Sequence, residues 1–168
     1  MNRRQRGAVL VEFAMALPVI IMLLLGTVTG GIAYSHKLNI SHAAREAARY
    51  GATLPDNQFG AGAGSTWAST VAQVARDRAS GDLAATGATI CVALVTGTNP
   101  VTVWSDPGGG TAYFYSSSGG SAAPCYSDGG TDGNRRVQVK LTYPGQLQAA
   151  AFTMSMTLSA QADAHFEF

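Results

Sequence analysis

Few residues in this chain could do chemistry, and they stand far apart. Glu12 is the only ionisable side chain between Ala8 and Tyr34, inside an otherwise apolar run that begins AVLVEFAMALPVIIMLLLG. A carboxylate at mid-membrane costs on the order of several kcal/mol unless it is paired, whereas near the headgroups it stays partly hydrated at little cost. Cys91 and Cys125 could pair as a disulfide in an oxidising compartment. Closing a loop of about 35 residues is worth roughly 3–4 kcal/mol in the chain-entropy picture. Two buried free thiols are the alternative. A metal centre fits poorly, because there is no C-x-x-C and His36, His42 and His165 are scattered. Asp128 and Asp132 sit in SDGGTDGN, which departs from the calcium-loop pattern at its middle position and reads as a turn. Asn39, Ile40 and Ser41 spell a glycosylation triplet, but on a segment with helical periodicity. No G-x-S-x-G elbow, phosphate-binding loop or H-E-x-x-H is present.

The elements that carry these residues follow from composition and periodicity. An apolar stretch of more than about 18 residues can cross a hydrocarbon core of roughly 30 Å, and a single span must be helical. Arg3, Arg4 and Arg6 precede it, which by the positive-inside bias puts the N-terminus in the cytoplasm and the chain from about Ser35 onward outside. Pro18 interrupts the run and predicts a slight bend. Gly26 and Gly30 form a G-x-x-x-G, by itself a weak sign of helix association. Past the span, Ile40, Ala43, Ala47 and Tyr50 recur on one helical face, with Glu46 and Arg49 spaced for an ion pair off it. Gly51 and Pro55 read as the stop. A helix over 8–50 would be roughly 64 Å long at 1.5 Å per residue.

The expected organisation is therefore a basic leader at 1–7, a transmembrane helix at 8–34, its continuation at 35–52 and an exported domain at 53–168. Within that domain 56–64 reads as a glycine-rich loop. Ser65 then caps a second helix that turns Trp67, Val71, Val74 and Ala75 to one side and ends at Gly81 and Asp82. Strands are expected at 89–96, 101–104 and 113–115, with turns at 106–110 and 116–120. Clean alternation over 136–143 and 154–168 predicts two neighbouring antiparallel strands, one face on helix and one wet. The fold class is α+β: a long N-terminal helix extending out of the membrane, then a small domain with a second helix and an antiparallel sheet. Charged residues are 12% of the chain and the net charge is +1, with three arginines in the leader, so no basic footprint for nucleic acid remains. Trp104, Tyr113, Phe114, Tyr115 and Tyr126 are read as cover for a small core before they are read as an adhesive tip.

The string RGAVLVEFAMALP resembles the N-terminus of TadE-like proteins, minor pseudopilins of tight-adherence (Flp-type) pilus systems. SHAAREAARYGA at 41–52, VQVKLTYP at 137–144 and MTLSAQADAHFEF at 156–168 are similar to later parts of that family. The resemblance implies a prepilin peptidase cut after Gly7, with Ala8 as the new N-terminus and Glu12 as the fifth residue of the mature chain. It also implies a structural, non-enzymatic assembly role without cofactor or small-molecule substrate. The partners would be the peptidase, other pilus or pseudopilin subunits and the bacterial inner membrane. The chemistry agrees with that mapping. A small residue lets a peptidase approach the backbone, and an amine at Ala8 would lie one helical turn from Glu12, within reach of a charge pair.

Two other classes compete. A secreted or surface binding protein with an ordinary signal peptide could be cut near Gly31-x-Ala33, although the apolar run is long for that purpose. A membrane-anchored hydrolase lacks any acid–base constellation to support it.

Overall fold

The computed structural model describes residues 3–54, 63–79, 81–84, 87–97, 99–106, 113–116, 123–129, 133–149 and 152–166. Most of the expected loop at 56–64, most of the turns at 106–110 and 116–120, Pro55, Asp132 and the side chains of 1–8 and 113–115 lie outside them.

One helix, α1 (Arg3–Thr53), runs unbroken through Pro18 for 51 residues, about 77 Å at helical rise. Its two halves have different surroundings. Every residue from Val9 to Val28 is exposed, whereas Ile40, Ala43, Ala44, Ala47, Ala48 and Ala52 are buried. The buried face is wider than the expected stripe and made almost wholly of alanine, which lets α1 approach its neighbours closely. Tyr50 lies at its edge and is 38% exposed. The expected stop at Gly51 is corrected too, since the helix continues to Thr53. A Cβ at Gly51 would meet Val137 Cγ1 at 3.0 Å, Val71 Cγ2 at 3.1 Å and Trp67 Cζ2 at 3.3 Å. The glycine is there for close packing.

Helix α2 (Ala63–Arg78) crosses α1 and buries Trp67, Ala68, Val71, Ala72 and Ala75, with Val74 partly covered. It begins before Ser65, so that serine stands in the first turn rather than at the cap. Trp67 donates from Nε1 to the Gly51 carbonyl at 3.2 Å, satisfying the indole where it is buried. Glu46 turns to Arg78 of α2, 3.8 Å away, in place of the expected partner Arg49. A short 3-10 turn follows at Asp82–Ala84.

Among the described residues the sheet has five antiparallel strands: β1 (Thr89–Thr96), β2 (Asn99–Asp106), β3 (Tyr113–Ser116), β4 (Arg135–Ala149) and β5 (Phe152–His165). Their spatial order is β3-β2-β1-β4-β5. β4 and β5 form the expected antiparallel pair, in register from Arg136↔His165 to Ala149↔Phe152. The period of two sends Ile90, Val92, Leu94, Trp104, Val137, Val139, Leu141, Ala160 and Ala162 to the helix side, where they complete the main core. Burying each Val, Leu or Ile there is worth about 1.5–3 kcal/mol. The opposite face is not simply wet. Ala93, Val95 and Val103 form a second small cluster with Cys91 and Cys125, and Arg136 and Gln138 are buried on the same side. The segment 123–129 contributes Cys125 and Asp128 to that face, a cover that strand alternation alone does not reveal.

Candidate functional site

The expected processing and assembly residues share the start of α1. Gly7 and Ala8 lie within the helical backbone, and Glu12 follows one turn after Ala8 on the same helix, exposed. Residues four apart on a helix are neighbours, so an amine generated at Ala8 would lie beside Glu12. Nothing among the described residues packs on 9–28, and a Cβ at Gly26, Gly30 or Gly31 would meet no neighbour within 4 Å. The exposed side chains here include Leu10, Phe13, Met15, Met22, Leu23 and Leu24. Within α1 a stretch is long and apolar enough to cross a membrane, and no other described helix is.

Where α1 meets the 3-10 turn and the sheet, three contacts fix its direction. His36 Nδ1 donates to Asp82 Oδ1 at 2.8 Å, and its ring stacks on Tyr143 with centroids 5.5 Å apart. Lys37 donates from Nζ to the Ser159 carbonyl. These residues tie α1 to the 3-10 turn, β4 and β5 just past the apolar run. Residue types gave no warning of this clamp, because His36 and Asp82 are 46 positions apart.

On the outer sheet face, Cys91 of β1 and Cys125 are placed as a disulfide with Cα atoms 5.7 Å apart. Beside them the Arg136 guanidinium, 2% exposed, donates to both oxygens of Asp128 at 2.6 and 2.7 Å and to the Gly97 carbonyl at 2.7 Å. Gln138 Nε2 donates to Asp128 Oδ2 at 2.6 Å. Asp128, expected in a turn, is thus an anchor that neutralises a buried cation. Burial and the nearby carboxylates of Asp163 and Asp128 push the Tyr126 phenol well above its ordinary range, with Arg136 opposing weakly. This ensemble holds the 123–129 segment on the sheet. His165 lies 3.8 Å from Asp163, His36 is engaged with Asp82, and no group of three or more metal-ligating side chains occurs among the described residues.

No curated protein and no solved structure matches the chain. A family model does: residues 7–49, about a quarter of the chain, match the model described as TadE-like protein. The match covers Gly7, Ala8, Glu12, the exposed apolar half of α1 and most of its buried alanine face. The strings at 137–144 and 156–168 lie beyond it. Over residues 7–49, then, the chain is similar to TadE-like proteins, the family that RGAVLVEFAMALP and the helix after it pointed to.

Proposed function

We propose that the protein is a structural, non-enzymatic, pseudopilin-like component of tight-adherence pilus assembly or a related secretion apparatus. One observation carries this reading. A single rigid helix is TadE-like over 7–49, bare and apolar over 9–28, and locked into a folded domain from Ile40 onward. Such a helix can hold the domain at a bacterial inner membrane, N-terminus inside, and present its apolar face to neighbouring subunits. Prepilin peptidase would cut the Gly7–Ala8 bond, and the new amine and Glu12 would pair within one chain or between neighbours. Pairing of that kind offsets the cost of a carboxylate among apolar side chains. The exported domain would meet other pilus or pseudopilin subunits.

The intact mass of the membrane-extracted chain tests processing, and the expected N-terminus is Ala8. A chain starting near Tyr34 would instead support secretion after an ordinary signal cut, and an intact Met1 would leave anchoring alone. Gly7→Val is expected to block the mass change. Glu12→Ala is expected to abolish piliation while the exported domain keeps its fold. Normal piliation in both variants would sink the assembly role.

A further inference from the structure

The β4–β5 hairpin is longer than the strands beside it. Between the groove where Arg45 and Arg49 meet Asp163 and His165 and the cleft where Thr29 and Ile32 meet Met156 and Leu158, β5 advances about 7 residues, or about 23 Å. Over the same interval α1 advances about 16 residues, or about 24 Å. Hairpin and helix therefore run side by side, and the hairpin points toward the apolar end of α1. Its last pairs, Leu147↔Met154 and Ala149↔Phe152, come after Gly145↔Met156 at the level of Thr29 to Ala33. They stand level with the exposed, apolar part of α1, not with the core.

The chemistry of this extension changes along its length. From 141 to 162 there is no Asp, Glu, Lys or Arg. The register continues the core-facing row past the core: Leu141↔Ala160, Tyr143↔Leu158, Gly145↔Met156, Leu147↔Met154, Ala149↔Phe152. The alternate row is polar but neutral, with Gln146↔Ser155 and Gln148↔Thr153. Met154 is 68% exposed although it lies in the core-facing row. A cleft of about 310 Å³ opens between this row and α1, lined by Thr29, Ile32, Ala33, Gly145, Met156 and Leu158 among others. Here the medium that would surround the adjoining helix also surrounds the row.

We propose that the distal hairpin is a second membrane contact that rests Met154 and Met156 on acyl chains of the outer leaflet. The inference rests on α1 spanning the bilayer and goes beyond it, because a single-span anchor needs no such contact. Two attachments would stop the exported domain from swinging about α1. They would also set its height above the bilayer.

The test uses the full chain in vesicles of phosphatidylethanolamine and phosphatidylglycerol, with an environment-sensitive fluorophore on Met154→Cys. Leu24→Cys reports on the span and Asp77→Cys on the exposed side of α2; the unsubstituted chain gives the labelling background from Cys91 and Cys125. Lipids bearing a nitroxide high on the acyl chain are expected to reduce emission at position 154 at least twofold and to leave position 77 unchanged. Quenching at 24 without quenching at 154 overturns the proposal while the span stands. Absence of quenching at 24 overturns both. A blue-shifted, unquenched label at 154 that reverts when the protein is diluted in lipid also overturns it, by showing a second copy on the hairpin.

Discussion

Arg136 is the charge this domain can least leave unmatched. It is almost fully buried, and Asp128 accepts two of its hydrogen bonds. Removing one partner of a buried pair strands the other, at a cost of about 3–5 kcal/mol. Asp128→Ala should therefore lower unfolding stability by about 3 kcal/mol, at the lower end of that range because the Gly97 carbonyl remains. Asp128→Asn should lose less, and denaturant titration of the two variants checks the order. Tyr126, next to this pair, gives a pH signature. Its folded pKa is raised, mainly by burial, so its contribution to stability is full below the unfolded value of about 10 and is lost as pH rises through the folded value. Stability should fall more steeply above pH 10 in the parent chain than in Tyr126→Phe. For Cys91 and Cys125 we expect no reactive thiol without reductant and two after reduction and unfolding. Replacing both with alanine should cost roughly 3–4 kcal/mol. The cysteines were visible as a pair because the chain holds only two. The Asp128 anchor was not, since a turn aspartate and an ion-pair partner share the same local sequence.

At the scale of elements, Gly51 shows why a correct helix can be ended for the wrong reason. Glycine commonly follows a helix, but it also lets two elements approach, and the letters do not distinguish these uses. Helix propensity alone would make Gly51→Ala stabilising by about 1 kcal/mol. Three buried side chains within 3.0–3.3 Å of the added methyl argue the opposite. Overpacking of this kind costs about 1–3 kcal/mol. The net expectation is a loss of about 1 kcal/mol for Gly51→Ala in thermal unfolding. Gly30→Ala, with nothing within 4 Å, should leave the domain's stability unchanged. The alternation of 136–143 and 154–168 was enough to pair β4 with β5, because a period of two with one apolar row admits few other arrangements. The same signal stopped short of β4's true end, where the row continues outside the core through 145–149.

Across the whole molecule, the division of labour along α1 decides what can be cut away. The α+β architecture was legible because the long apolar helix, the alanine-rich helix after it and the alternating strands each carry a distinct period. How the helices lie on the sheet was not, since periodicity marks a buried face without naming its cover. That cover begins at Ile40: α1 supplies Ile40, Ala43, Ala44, Ala47, Ala48 and Ala52 to the core and nothing before Thr29. A chain starting at Ser35 keeps that face, His36 and Lys37, and should be soluble and cooperatively folded. A chain starting at Leu54 would uncover Trp67, Val71, Val137 and Val139 at once. Each such side chain left in water forfeits about 1.5–3 kcal/mol, against a total stability of about 5–15 kcal/mol for a typical domain. The longer fragment should thus melt in a single transition by circular dichroism, and the shorter one should show none. A folded chain from Leu54 would mean that the helix hangs beside the domain instead of completing it, and the rigid coupling of membrane to domain would then have no structural basis.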